Sequence, residues 1–493
     1  MNSPMRPFAG ARAARRTARV AAAVIVLGAL PLSSCRDFDV LDTNAPTADQ
    51  LTGSPSRGVL ARTAVGIQIE AFNDLAGEIQ QWGIYGREVL NLLGNDPRET
   101  GEELKGPQDP GGRAGGVWTG KYGAIRTIHT YLTAVGNSNE LTEQEKHASA
   151  GLAKTIKAWH LHKLAVRSGP TGLPIDTDRP ITAEPAPLVT SAQAMEYVSA
   201  LLDSALAELQ AAAPDTVFPF SFVPGYTGFN RPATFARFNR ALAAKVLVHR
   251  ATFNTCTECW AQAATALAAS FVTDAGLPGS LSTGVYYGYT GAAGELTNPV
   301  TETLASDRYW VHQSIVTGAQ LRPGGQPDLR LTTKTAPGDK PNTPGPDPRT
   351  LNEITATHKP VLYNVPGTFA VNTGADIPWI TNEELLLLRA EIRWHTGDKV
   401  GAISDINLIR QHAGGLGPTT VTPLSPDADF ITELLYNRLY SLMWTQGVRW
   451  VDARRYNRIN TLPIDRAGDV VHPHMLIPAA ECDARGLEPP CSI

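Results

Sequence analysis

The chain is 493 residues long, with 43 basic and 47 acidic residues and a formal charge of −4. The first 34 residues hold five of the basic residues and no acidic ones, so cleavage there leaves 38 against 47, a charge of −9. Such a balance, with no Lys/Arg-rich patch, excludes a nucleic-acid partner, which calls for a basic footprint.

In chain order, five arginines (Arg6, Arg12, Arg15, Arg16, Arg19) precede the apolar run VAAAVIVLGALPL and then Leu32-Ser33-Ser34-Cys35. That order is a bacterial export signal, and small residues before a cysteine are what a lipoprotein signal peptidase accepts. The run is about 13 residues, short of the roughly 20 that span a bilayer. Residues 1–34 are therefore expected to be removed and Cys35 to be lipidated. Residues 35–56 read as a polar lipidated tether, and 57–493 as a single helical domain.

The periodic segments that follow are helical. Helices are predicted over 57–80, 120–135, 143–168, 191–210, 235–253 and 260–271. Between about 275 and 380 the pattern gives way to Gly, Pro, Thr and Tyr, predicting a loop-rich insertion with a few short strands. Helical pattern returns at 382–396, with Asn382 as expected N-cap, and at 399–412 and 428–446. The link Thr396-Gly397-Asp398 forces an antiparallel pair, and 120–168 and 191–253 read as two more. The fold class is therefore all-α: tetratricopeptide-like antiparallel helix pairs with long irregular insertions.

Four cysteines remain after Cys35, as the local pairs Cys256–Cys259 and Cys482–Cys491. In an oxidising compartment these are disulfide candidates. The Cys256–Cys259 spacing also fits free thiols, half a zinc site or a redox pair. No G-x-S-x-G, H-E-x-x-H or Walker-type motif is present. Residues 111–116 (GGRAGG) read as a turn, and His472-Pro473-His474 lacks a third clustered ligand. No catalytic residue, cofactor or metal is expected.

Aromatic residues outside the helical stripes are the ligand-binding candidates: Trp82, Tyr85, Trp118, Tyr286, Tyr287, Tyr289, Tyr309 and Trp310. Flat rings stack on sugar faces, although the same residues serve equally to pack loops on a core. Near the C-terminus, Arg449, Trp450, Asp452, Arg454 and Arg455 interleave charge with aromatic rings. They are expected to form an internal ion-pair network.

Four stretches together resemble the SusD/RagB family of outer-membrane nutrient-binding lipoproteins. They are the Cys35 signal with the tether from Asp39 to Thr47, the helix pair 382–414, residues 446–455 (QGVRWVDARR) and the ending 476–483 (LIPAAECD). In the third, Val451 and Ala453 replace the family's aromatic and leucine, and the ending carries Cys482 where the family has none. The resemblance implies a single tetratricopeptide-like domain on a surface-facing, lipid-anchored outer-membrane protein. It also implies a SusC-like TonB-dependent transporter as partner. Such a lid binds an oligosaccharide or related nutrient and delivers it without chemical change. Other readings are a peptide-binding lid, a protein-binding repeat scaffold and a secreted glycan-processing enzyme.

Overall fold

The computed structural model describes residues 51–493, apart from 52, 181, 305, 341, 342, 347, 367 and 369. Cys35, the expected signal before it and the expected tether through residue 50 lie outside the described residues. The rest belongs to one compact unit, Ala48–Ile493. No described helix is long and apolar enough to cross a membrane.

The helices are α1 (Arg57–Glu70), α2 (Leu75–Tyr85), α3 (Thr119–Asn137), α4 (Glu143–Ser168), α5 (Ser191–Ala211), α6 (Pro232–Phe253) and α7 (Cys259–Ala268). After the insertion, which holds the short α8 (Gln313–Thr317) and α9 (Leu329–Lys334), come α10 (Asn382–His395), α11 (Lys399–His412) and α12 (Asp427–Leu442). Last are α13 (Val448–Arg455) and α14 (Ala479–Ala484). Consecutive helices from α3 to α7 pack on one another, and α10 packs on α11. This is the expected array of antiparallel pairs.

Local chemistry explains the boundaries. Thr142 and Glu145 form a capping box at α4, and Thr190 and Gln193 form another at α5; each satisfies backbone donors that a helix start leaves open. The predicted helix 57–80 is two helices, because Asp74 adopts a left-handed backbone (φ 61°) and its carboxylate accepts the Lys121 N–H. Asn382 is the first residue of α10 rather than its cap, which is Thr381. Its buried amide instead accepts from the Thr273 N–H (2.9 Å) and donates to the Thr273 carbonyl (2.8 Å). The helix predicted to reach 446 ends at Leu442, and Trp444 (φ 59°) turns the chain so that its N–H meets Glu88.

The strands are β1 (Val89–Asn91), β2 (Leu173–Pro174), β3 (Leu188–Val189), β4 (Gly284–Tyr287), β5 (Tyr309–Val311) and β6 (Thr335–Pro337). They continue as β7 (Asp339–Lys340), β8 (Thr343–Pro346), β9 (Arg349–Leu351), β10 (Ile354–Ala356), β11 (His358–Pro360) and β12 (Ile377–Thr381). Four of them form a sheet in the order β1-β5-β11-β6, with Leu90 opposite Trp310, and β12 pairs with β4. The insertion is thus stapled to the segment that leaves α2.

Most of the buried apolar residues form one core cluster, which runs from α1 through the insertion to α14. A second joins α10, α11 and α12, where Trp394 stacks on Phe430 at 4.0 Å. Cys256–Cys259 and Cys482–Cys491 are both disulfides. The first pairing ties up the sulfurs beside Glu258, the cluster otherwise spaced for a metal.

Candidate functional site

Seven of the eight candidate aromatics are buried; Tyr286 alone is half-buried. Trp82 packs against Trp450 (5.5 Å) beneath Lys163, and Tyr85 lies between Trp450 and His472. Trp118 meets Tyr122 and Arg167. Tyr287 stacks on Trp379 (4.6 Å) and accepts the Trp159 indole N–H, while Tyr289 abuts Phe72. Tyr309 rests on Trp444, and Trp310 donates to the Asp307 carbonyl beneath Lys359. The Tyr286 hydroxyl donates to the Ser282 carbonyl. In the structure these rings pack loops onto the helical array, the large apolar area of an aromatic side chain being gained by burial. None of the eight lines the open cleft described next.

Of the C-terminal set, Asp452 and Arg455 join a buried ion-pair network, whereas Arg449, Trp450 and Arg454 bond to backbone carbonyls. Asp452 accepts from Arg438 (2.8 Å) and Arg455 (2.7 Å), and Arg455 reaches Glu391, all of them buried. Trp450 donates to the His472 carbonyl, Arg449 to the Arg87 carbonyl and Arg454 to the Val166 carbonyl.

The loop face carries an open cleft of about 460 Å³. Its walls are Pro97, Thr100, Gly101 and Lys105 from the segment after β1, the turn Asn352-Glu353, and Arg466. That turn is the two-residue link of the β9–β10 hairpin, with Leu351 opposite Ile354. A two-residue hairpin turn of this kind needs positive φ at both positions and usually takes Asn-Gly. Here Asn352 (φ 49°) is followed by Glu353 (φ 68°), a non-glycine held in a strained conformation with its side chain exposed. Strain of this sort persists only where the surroundings impose it.

Those surroundings are polar and specific. Asn352 donates to the Thr100 hydroxyl (2.9 Å), and Arg466 donates to the Asn352 carbonyl (3.2 Å) and the Thr100 carbonyl (2.5 Å). Asp469 holds Arg466 through its Nε. Lys105 and Glu353 are exposed and make no ion pair among the described residues. Beneath the cleft, Arg113 gathers Glu103 (2.9 Å), Glu99 (3.5 Å) and Asp96 (3.6 Å). The segment 96–105 is therefore fixed from below while its upper side stays open.

Burial raises the Glu103 carboxyl to about 7, although Arg113 opposes the rise. A carboxyl whose folded pKa is raised favours folding most in acid; the benefit disappears as pH climbs from the unfolded value toward about 7. Glu103→Gln is therefore expected to flatten the pH dependence of stability. The urea midpoint of the variant should gain on the parent between pH 5 and pH 8, and parallel profiles would contradict this.

Sequence reasoning missed every wall of this cleft. The one available signal was Thr350-Leu351-Asn352-Glu353-Ile354-Thr355, where β-formers flank an Asn-initiated pair.

No family model matches the sequence, and no curated protein matches it. Solved structures do match in fold. NanU of B. fragilis superposes with a TM-score of 0.63 at 14% identity, covering 90% of this chain and 97% of that one. A SusD superfamily protein from Bacteroides vulgatus gives 0.63 at 15%, covering 89% and 98%. Surface glycan-binding protein A from Bacteroides fluxus gives 0.59 at 16%, covering 87% and 97%. The chain has the fold of the SusD superfamily.

Proposed function

We propose that this chain, built on the SusD fold, is a lipid-anchored outer-membrane protein. It binds an oligosaccharide or related nutrient in the loop cleft and hands it, unchanged, to a TonB-dependent transporter. The observation that carries the reading is the fold, shared over most of the chain with a protein described as a surface glycan-binding protein. The cleft supports it. Its free groups, Lys105 and Glu353, and the amide of Asn352 suit hydrogen bonds to hydroxyls, while Glu99 and Glu103 are turned onto Arg113. Among the described residues Glu353 is the one carboxylate on the walls of the cleft, whereas glycosidic cleavage uses two facing carboxyl groups. Cys35 supplies the anchor in this account.

Calorimetry of residues 36–493 against soluble glycans and peptides, with product analysis, tests the reading. A neutral glycan is expected to bind and be recovered intact. Lys105→Ala combined with Glu353→Gly should weaken it about tenfold, the effect of losing a charge-assisted hydrogen bond. Glycine relieves the strained φ at 353, so the variant keeps its fold. Cleavage of the glycan, or affinity unchanged in the double variant, would overturn the assignment.

A further inference from the structure

A second cleft, of about 490 Å³, opens where the end of α4, the start of α5, the end of α6 and α13 meet. We propose that it binds the carboxylate of a sugar acid, with Arg454 as the anchoring cation.

Among the described residues no acidic side chain lines this cleft, in a chain whose acidic residues outnumber its basic ones. Arg454 is half-buried, yet it forms no ion pair among the described residues; its one hydrogen bond runs from Nη1 to the Val166 carbonyl (2.7 Å). Burial without a carboxylate partner pushes its guanidinium down to about 9. The neighbouring Arg455 shows the contrast, since Asp452 and Glu391 compensate it fully. Arg454 is also held in place: its guanidinium lies 4.1 Å from the Trp450 ring centroid and 5.4 Å from that of Phe253. A planar fork fixed against aromatic rings, with its counter-charge missing, is prepared for a carboxylate.

The remaining walls suit a sugar. The hydroxyls of Ser191, Thr252 and Thr255 already donate to the carbonyls of Ala165, Val248 and Asn254. They therefore offer lone pairs, which accept from the hydroxyls of a saccharide. Two wall residues, Thr255 (φ 54°) and Asn457 (φ 53°), follow the caps of α6 and α13 in the left-handed conformation that closes a helix end, which fixes the wall they form.

This site is separate from the loop cleft, and its test separates the two readings. Calorimetry of residues 36–493 compares oligogalacturonate and oligoglucuronate with their neutral methyl esters, in the parent, Arg454→Gln and Asn457→Gly. The acid is expected to bind at least tenfold tighter than its ester. Arg454→Gln should remove that preference, and Asn457→Gly, which relieves the backbone while deleting the amide, should weaken the acid severalfold. Lys105→Ala with Glu353→Gly should leave acid binding unchanged while weakening the neutral glycan of the loop cleft. Equal binding of acid and ester, no binding of either acid, or parent-like affinity in both single variants would overturn the proposal. So would capture of a free-carboxylate peptide in place of the uronates.

Discussion

Replacing Asp452 with alanine is expected to cost about 3–5 kcal/mol of folding stability, the usual result of breaking a buried ion pair from one side. Asp452 is 3% exposed and accepts from two guanidinium groups, those of Arg438 and Arg455, which are equally buried. Burial alone would raise its carboxyl, but the two arginines outweigh burial and hold it below the ordinary aspartate range. The pair contributes stability that is present above the unfolded aspartate value and lost as pH falls through the folded one. Without Asp452, among the described residues Arg438 keeps no carboxylate within bonding distance and Arg455 keeps only Glu391. Asp452→Asn, which retains an acceptor, should cost less. Urea unfolding of the three proteins at neutral pH measures this, and a loss under about 1 kcal/mol for Asp452→Ala would contradict it.

Gly447→Ala is expected to be nearly as damaging, for a different reason. Gly447 has φ 60°, a conformation that costs an alanine about 1–2 kcal/mol. An added Cβ would also lie 2.2 Å from Trp82 Cβ and 3.0 Å from the Trp82 carbonyl carbon. Overpacking of that kind adds about 1–3 kcal/mol. The total, about 2–5 kcal/mol, explains why a glycine opens the segment Gly447-Val448-Arg449-Trp450. It lets α13 approach α2 closely enough for Trp450 to meet Trp82 and Tyr85. A urea midpoint equal to that of the parent protein would show that the contact relaxes without cost.

The helical array was legible in the sequence because its signals are local. The helix predicted over 143–168 is Glu143–Ser168 in the structure: its apolar stripe and the Thr142/Glu145 capping box lie within a few residues of what they specify. The break after Glu70 was not legible, since the apolar spacing runs across it. It depends on the contact of Asp74 with Lys121 N, 47 residues away. Between the two readings of the candidate aromatics, ligand stacking and loop packing, residue type could not choose. Composition shows that rings lie outside helical stripes but not that a neighbouring ring covers them, as Trp379 covers Tyr287. The loop cleft was the least legible feature. Its walls come from three segments joined by bonds such as Asn352 to Thr100, 252 positions apart. The tension within Glu353 is a property of backbone geometry, and residue type does not reveal it.

Amide hydrogen exchange of residues 36–493, with and without the tightest-binding neutral soluble glycan, tests the central claim most directly. Protection concentrated in 97–105 and 349–354, with the helical array unchanged, is the expected result. Protection confined to the helices, or none anywhere at saturating glycan, would contradict a nutrient site in the loop cleft.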